Sequence, residues 1–131
     1  MITVPVHRRF SDLDPLGHVN NVAYHDYLQE ARVGLIGELA LVSNAEYAQI
    51  VVRQEIRHRR PLGYAREPVL IDVWISEMAR TSYTVEYRIR DEAGEIAAEA
   101  TSLLAVVDAG TGRPVRIPDE VKDALERSRP A

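Results

Sequence analysis

At 131 residues the chain fits one domain, spanning residues 1–131, around a single hydrophobic core. Its 46% apolar content with mixed charges excludes a disordered chain, and a net charge of −4 argues against a general nucleic-acid binder. The absence of cysteine excludes disulfides, thiolate metal sites and a cysteine nucleophile. No apolar run reaches the roughly 18 residues that span a bilayer, and the start of the chain lacks a signal peptide's apolar stretch, so no membrane association and a cytoplasmic location are expected. Lys122 is the only lysine, so nearly all positive charge is arginine, which suits phosphate recognition but also follows from a coding bias.

Thr3 to Phe10 reads as a first strand, with Val4, Val6 and Phe10 partly alternating against His7 and Arg9. The pattern breaks from Ser11 to Val19, where Asp14-Pro15-Leu16-Gly17 matches the residue preferences of a type I turn. A helix is predicted from about Val22 to Leu39, capped by Asn20 or Asn21. Its stripe is Tyr24, Tyr27, Leu28, Ala31, Leu35 and Leu39 at three- and four-residue spacing, with Asp26, Glu30 and Arg32 outside it. Gly34 and Gly37 weaken that helix and mark close packing against a sheet. Ala40 to Tyr47 is a connection without a clear assignment.

The period then changes from helical to two. Ala48 to Arg60 reads as a strand ending in the basic cluster Arg57-His58-Arg59-Arg60. Val69 to Met78 has the apolar character of a central strand, and Ser82 to Arg90 alternates cleanly. Ile96 to Val107 is a long strand of small and branched residues. Short turns between the last three strands imply an antiparallel meander. Asp119 is expected to cap a last helix, Glu120 to Arg127. The order predicts an α+β fold, an antiparallel sheet wrapped around one long central helix.

The chemistry is concentrated between Phe10 and Tyr27. The turn at Asp14 can bring a carboxylate near the N-terminus of the long helix, where unpaired backbone N–H groups and a partial positive charge can hold a polarised carbonyl oxygen or an oxyanion. A carboxylate there can act as general base toward water or as a nucleophile, and the pair describes acyl transfer. Asp12 reads as a turn or capping residue, Tyr24 and Tyr27 as core, and His7, His25 and His58 as surface or satisfied histidines.

The string Asp14-x-x-Gly17-His18-Val19-Asn20-Asn21-x-x-Tyr24, after a first strand and opening a long helix, resembles the hotdog-fold acyl-CoA thioesterases of the 4-hydroxybenzoyl-CoA thioesterase superfamily, and the element order is similar over nearly the whole chain. The resemblance implies hydrolysis of an acyl-CoA thioester without metal or organic cofactor, in a homodimer or homotetramer whose active sites lie between subunits. Asp14 then matches the family's catalytic carboxylate, the backbone N–H of Asn21 the group that polarises the carbonyl, and His18 a histidine of acyl-carrier-protein thioesterases in the similar string HVNN. The chain departs from Tol-Pal-associated thioesterases, which have histidine where it has Asn21, and from the hydroxybenzoyl enzyme, which has tyrosine there. The hydroxybenzoyl enzyme's basic run for the coenzyme A phosphates is reduced here to Arg80; the cluster Arg57 to Arg60, with Arg66 and Arg80, either grips those phosphates, with Arg60 as the second contact, or is a solvated strand end. Two other functions fit the same fold: an enoyl-CoA hydratase and a non-catalytic acyl-CoA-binding protein. The acyl group is left open.

Overall fold

The computed structural model describes residues 1–38 and 46–130. Five strands form one antiparallel sheet: β1 (Ile2–Val6), β2 (Tyr47–His58), β3 (Val69–Met78), β4 (Ser82–Arg90) and β5 (Ile96–Asp108), in the order β1-β3-β4-β5-β2. One long helix, α1 (Asn21–Glu38), lies on its inner face, and a short helix, α2 (Asp119–Arg127), closes the end beside the β3–β4 turn. The α+β architecture and the β3-β4-β5 meander are those expected from the sequence.

The alternating strands make one face apolar, and that face is the core. In β4, Tyr83, Val85, Tyr87 and Ile89 are buried while the residues between them are not, as a period of two requires. They join Ile71, Val73 and Ile75 of β3 and Ala98, Ala100 and Leu104 of β5 beneath the helix stripe of Tyr24, Tyr27, Leu28, Ala31 and Leu35. Leu39, the expected last member of that stripe, and residues 40–45 of the unassigned connection lie outside the described residues; Tyr47 opens β2.

Several element ends differ from expectation, most by a residue, and three differences have a structural cause. Strand β1 stops at Val6, because its partner β3 begins at Val69 and the register ends on that pair. The chain then makes a 3-10 turn at Phe10–Asp12. Strand β2 ends at His58 instead of Arg60, although the N–H groups of Arg59 and Arg60 both still donate to the Ala97 carbonyl. Asp119 does not cap α2: Pro118 occupies the N-cap without a side-chain bond, and Asp119 sits in the first turn, where its charge complements the helix dipole.

The helix glycines divide. A Cβ on Gly34 would stand 2.9 Å from Cγ2 of Val4, so the close packing expected there is present; a Cβ on Gly37 would meet nothing within 4 Å. Arg32, expected outside the buried stripe, is 9% exposed. It is four residues after Leu28 and three before Leu35, and that spacing carries it onto the covered face.

Candidate active site

The loop between β1 and α1 is built around its own hydrogen bonds. In the turn at Asp14, the Gly17 N–H donates to the Asp14 carbonyl at 3.0 Å, and Gly17 adopts φ +80°, a conformation glycine reaches without a Cβ clash. The Asp14 N–H donates to the His18 carbonyl at 2.8 Å. Oδ1 of Asp14 accepts from the N–H groups of Leu16 at 2.9 Å and His18 at 3.1 Å. One carboxylate oxygen is therefore anchored, and Oδ2 has no hydrogen-bond partner among the described residues. The loop is stitched to the chain after β2 by the Val19 N–H on the Leu62 carbonyl at 2.7 Å and by a bridge between His18 and Gly63.

Of the two asparagines, Asn20 caps α1. Its Oδ1 accepts from the Ala23 N–H at 2.9 Å, while its own N–H and Nδ2 both donate to the Asp12 carbonyl at 2.8 and 2.9 Å. This satisfies the third N–H of the helix and leaves the first two, on Asn21 and Val22, without a partner among the described residues. Asn21 is thus the first helical residue, with a free backbone donor at the positive end of an 18-residue helix.

Asp12 has a larger part than a turn residue. It is 3% exposed, and its Oδ2 accepts from the Tyr27 hydroxyl at 2.5 Å and from the Arg9 N–H at 3.0 Å; Oδ1 accepts from Arg9 Nε at 3.1 Å. Burial pushes the Asp12 carboxyl up, but the hydrogen bonds from Tyr27 and Arg9 outweigh it and hold the group below the usual carboxylate range. The reciprocal effect, burial together with the negative Asp12 beside it, raises the Tyr27 phenol. The buried carboxylate ties the turn before Asp14 to the second turn of the helix and, through its carbonyl, to the cap.

A cleft of about 260 Å³ opens at this junction, lined by Asp14, His18, Val19, Asn21, Tyr24, His58, Arg59, Arg60 and Pro61. Asp14, His18, Asn21 and Arg60, singled out in the sequence, meet here. Arg80 does not. It precedes β4, whose first residue pairs with Ala105, whereas Arg60 lies against Ala97, roughly 25 Å away along β5 at about 3.4 Å per residue. Arg60 is 3.8 Å from Glu95 and Arg59 is 2.8 Å from Glu99, both pairs largely exposed.

His58 is the residue whose place the sequence did not reveal. Its ring stands edge-on to the buried Tyr24, with centroids 4.6 Å apart and planes at 89°, and it lines the cleft. The signal was the period-two parity with Ile56, which puts residue 58 on the inner face of β2. Among the described residues no group of three or more histidine, aspartate or glutamate side chains is arranged to hold a metal ion.

The profile of the thioesterase-like superfamily matches residues 8–125. A Bacillus subtilis (strain 168) protein, YneP, provisionally named an acyl-CoA thioesterase, is 29% identical over 112 residues, covering 82% of this chain and 80% of the relative. A thioesterase of Thermus thermophilus, crystallised with coenzyme A and zinc, superposes with a TM-score of 0.84 at 29% identity, covering 98% of this chain and 95% of that one. The PA5185 protein of Pseudomonas aeruginosa PAO1 has the same fold, with a TM-score of 0.89 at 24% identity over all of this chain and 93% of that one. With nearly its whole length inside the family profile and the sheet-wrapped helix of these structures, the chain belongs to the thioesterase-like superfamily and has the hotdog fold.

Proposed function

We propose that the protein is an acyl-CoA thioesterase that hydrolyses an acyl thioester to the free acid and coenzyme A. The observation that carries this reading is the pairing, in one cleft, of a carboxylate with one oxygen anchored and one free with a helix N-terminus whose first N–H groups are unpartnered. Superfamily membership and the coenzyme A in the Thermus relative's crystal point to the same chemistry.

In this mechanism the thioester carbonyl oxygen accepts a hydrogen bond from the Asn21 N–H, which also stabilises the oxyanion formed on attack. Asp14 follows one of two routes. As a general base, it takes a proton from water as the water oxygen bonds to the carbonyl carbon. As a nucleophile, it bonds to that carbon itself and gives a mixed anhydride that water then opens. Either route breaks the carbon–sulfur bond and releases the coenzyme A thiolate. His18, half-buried in the cleft wall with an unpartnered ring, orients the water or the carbonyl. Arg60 grips the coenzyme A phosphates.

Assembly into a homodimer or homotetramer belongs to this reading. Strand β2 is an edge of the sheet, and three successive residues on it, Ile50, Val51 and Val52, expose apolar side chains. Such an edge offers unpaired backbone groups to a second copy. The protein acts in the cytoplasm on a soluble thioester; no helix among the described residues is long and apolar enough to cross a membrane. The experiment is a thiol-release assay across short, long and aromatic acyl-CoA esters. Release from at least one class is expected, and loss of an enoyl-CoA double bond without thiol release would replace the hydrolase with a hydratase.

A further inference from the structure

Four charged side chains are buried among the described residues: Arg8, Asp12, Arg32 and Asp72. Three of them have a countercharge. Arg8 lies 2.9 Å from Glu92, Asp12 lies 2.9 Å from Arg9, and Asp72 lies 3.1 and 2.9 Å from Arg88 and Arg90. Arg32 has none. Its Nη1 donates to two neutral groups, the Gln54 side-chain carbonyl at 3.2 Å and the Tyr87 hydroxyl at 3.1 Å. Nε and Nη2, the side of the guanidinium that grips a carboxylate with two parallel bonds, make no hydrogen bond. They are not sealed in, since the only sealed, unpartnered side-chain nitrogen among the described residues is Nε of Arg8. A buried cation without an anion is costly, so its retention needs a reason.

The surroundings give that reason a direction. Beside the apolar core, a chain of polar side chains links α1 to the β5–β2 side of the sheet. His25 Nδ1 lies 2.7 Å from Gln54 Nε2, the Ser102 hydroxyl donates to Gln54 Oε1 at 2.6 Å, and the Tyr87 hydroxyl donates to Ser102 at 2.8 Å. The chain begins at His25, one helical turn beyond Asn21, and leads to Arg32. An acyl group whose carbonyl sits at the Asn21 N–H and whose tail follows the helix along β2 would meet these donors. A plain hydrocarbon tail would strip water from Nε and Nη2 of Arg32 and offer nothing in return.

We propose that the protein selects acyl thioesters whose acyl group ends in a carboxylate, held by the Nε and Nη2 edge of Arg32. This rests on the thioesterase reading and adds the substrate class to it. The acyl carboxylate supplies the anion that the fold leaves out, and Gln54 and Tyr87 fix the guanidinium from the other side.

The test compares adipoyl- and suberoyl-CoA with hexanoyl- and octanoyl-CoA, pairing esters of equal carbon number. Thiol release gives kcat/KM, and calorimetric titration with the matching thioether analogues, which cannot be hydrolysed, gives binding apart from turnover. The carboxylated member of each pair is expected to be favoured by roughly 10- to 100-fold, the scale of one charge-assisted pair. In Arg32→Gln that ratio should fall toward one, and Arg32→Lys should keep part of it. Equal treatment of the two series by the wild type, or an unchanged ratio in both variants, would overturn the inference. So would an Arg32→Gln protein that falls to a smaller assembly with its ratio unchanged, which would assign Arg32 to an acid of a second copy. Thiol release without carboxylate preference would leave the thioesterase standing and the inference lost. No release from any ester, with carboxylate-selective and Arg32-dependent binding of the thioethers, would do the reverse.

Discussion

Asp14 and Asp12 are two residues apart and have opposite environments. Asp14 sits in a half-exposed turn with one free oxygen, whereas Asp12 is buried with Arg9 and Tyr27 on its oxygens. The local string sufficed to place Asp14 in a tight turn beside a helix start, because turn preferences and the following helix start are encoded within a few residues. The role of Asp12 was not legible, since its decisive partner, Tyr27, is 15 positions away and reads equally well as core. The same holds for Arg32 of α1, whose neutral partners Gln54 and Tyr87 lie on β2 and β4. Tyr27→Phe should keep the packing of the ring but remove a buried donor from a carboxylate. A loss of about 1.5–3 kcal/mol is expected, within the range for hydrogen bonds to charged groups, measured as a lower urea midpoint with an unchanged slope.

At the scale of elements, the strands with strict alternation were legible because period two alone decides which face is buried. β4 has the limits expected of it, Ser82–Arg90. Ends set by a partner were not: β1 stops where β3 starts, and nothing in residues 7–10 encodes that. The α1–β1 contact was visible only as glycines that weaken a helix. Gly34→Ala would gain about 1 kcal/mol of helix propensity, but its methyl would press on Val4 at 2.9 Å, and overpacking of this kind costs about 1–3 kcal/mol. A branched side chain with a stiff χ1 on a paired strand yields little, so net destabilisation is expected in thermal unfolding. Adding Val4→Ala should recover part of the loss; a Gly34→Ala protein more stable than the parent would show that the contact relaxes freely.

For the whole molecule, the buried carboxylates link the fold to acid. Asp72 joins β1, β3 and β4 through Thr3, Arg88 and Arg90; burial raises its carboxyl, and these hydrogen bonds more than offset that and lower it. Asp12 is lowered in the same way. Both groups ionise at lower pH in the folded chain than in the unfolded one, so their stabilisation is fully present above the ordinary aspartate value of 3.8 and is lost as the pH falls through the folded values below it. Urea midpoints should therefore hold down to about pH 5 and decline steeply below about pH 4. Asp72→Asn should be less stable at neutral pH and flatten that decline; a wild-type midpoint constant from pH 5 to pH 3 would contradict the assignment.

Function at this scale reduces to whether the carboxylate beside the helix N-terminus does the chemistry. The most direct measurement is steady-state thiol release by Asp14→Asn on the best acyl-CoA ester found for the wild type, with folding checked by circular dichroism. The isosteric amide keeps the anchoring acceptor for the Leu16 and His18 N–H groups but can neither take a proton from water nor attack the carbonyl. The account predicts a fall in kcat of about a hundredfold or more, within the range general-base catalysis supplies, with KM little changed. Near-normal turnover by a folded Asp14→Asn protein would contradict it.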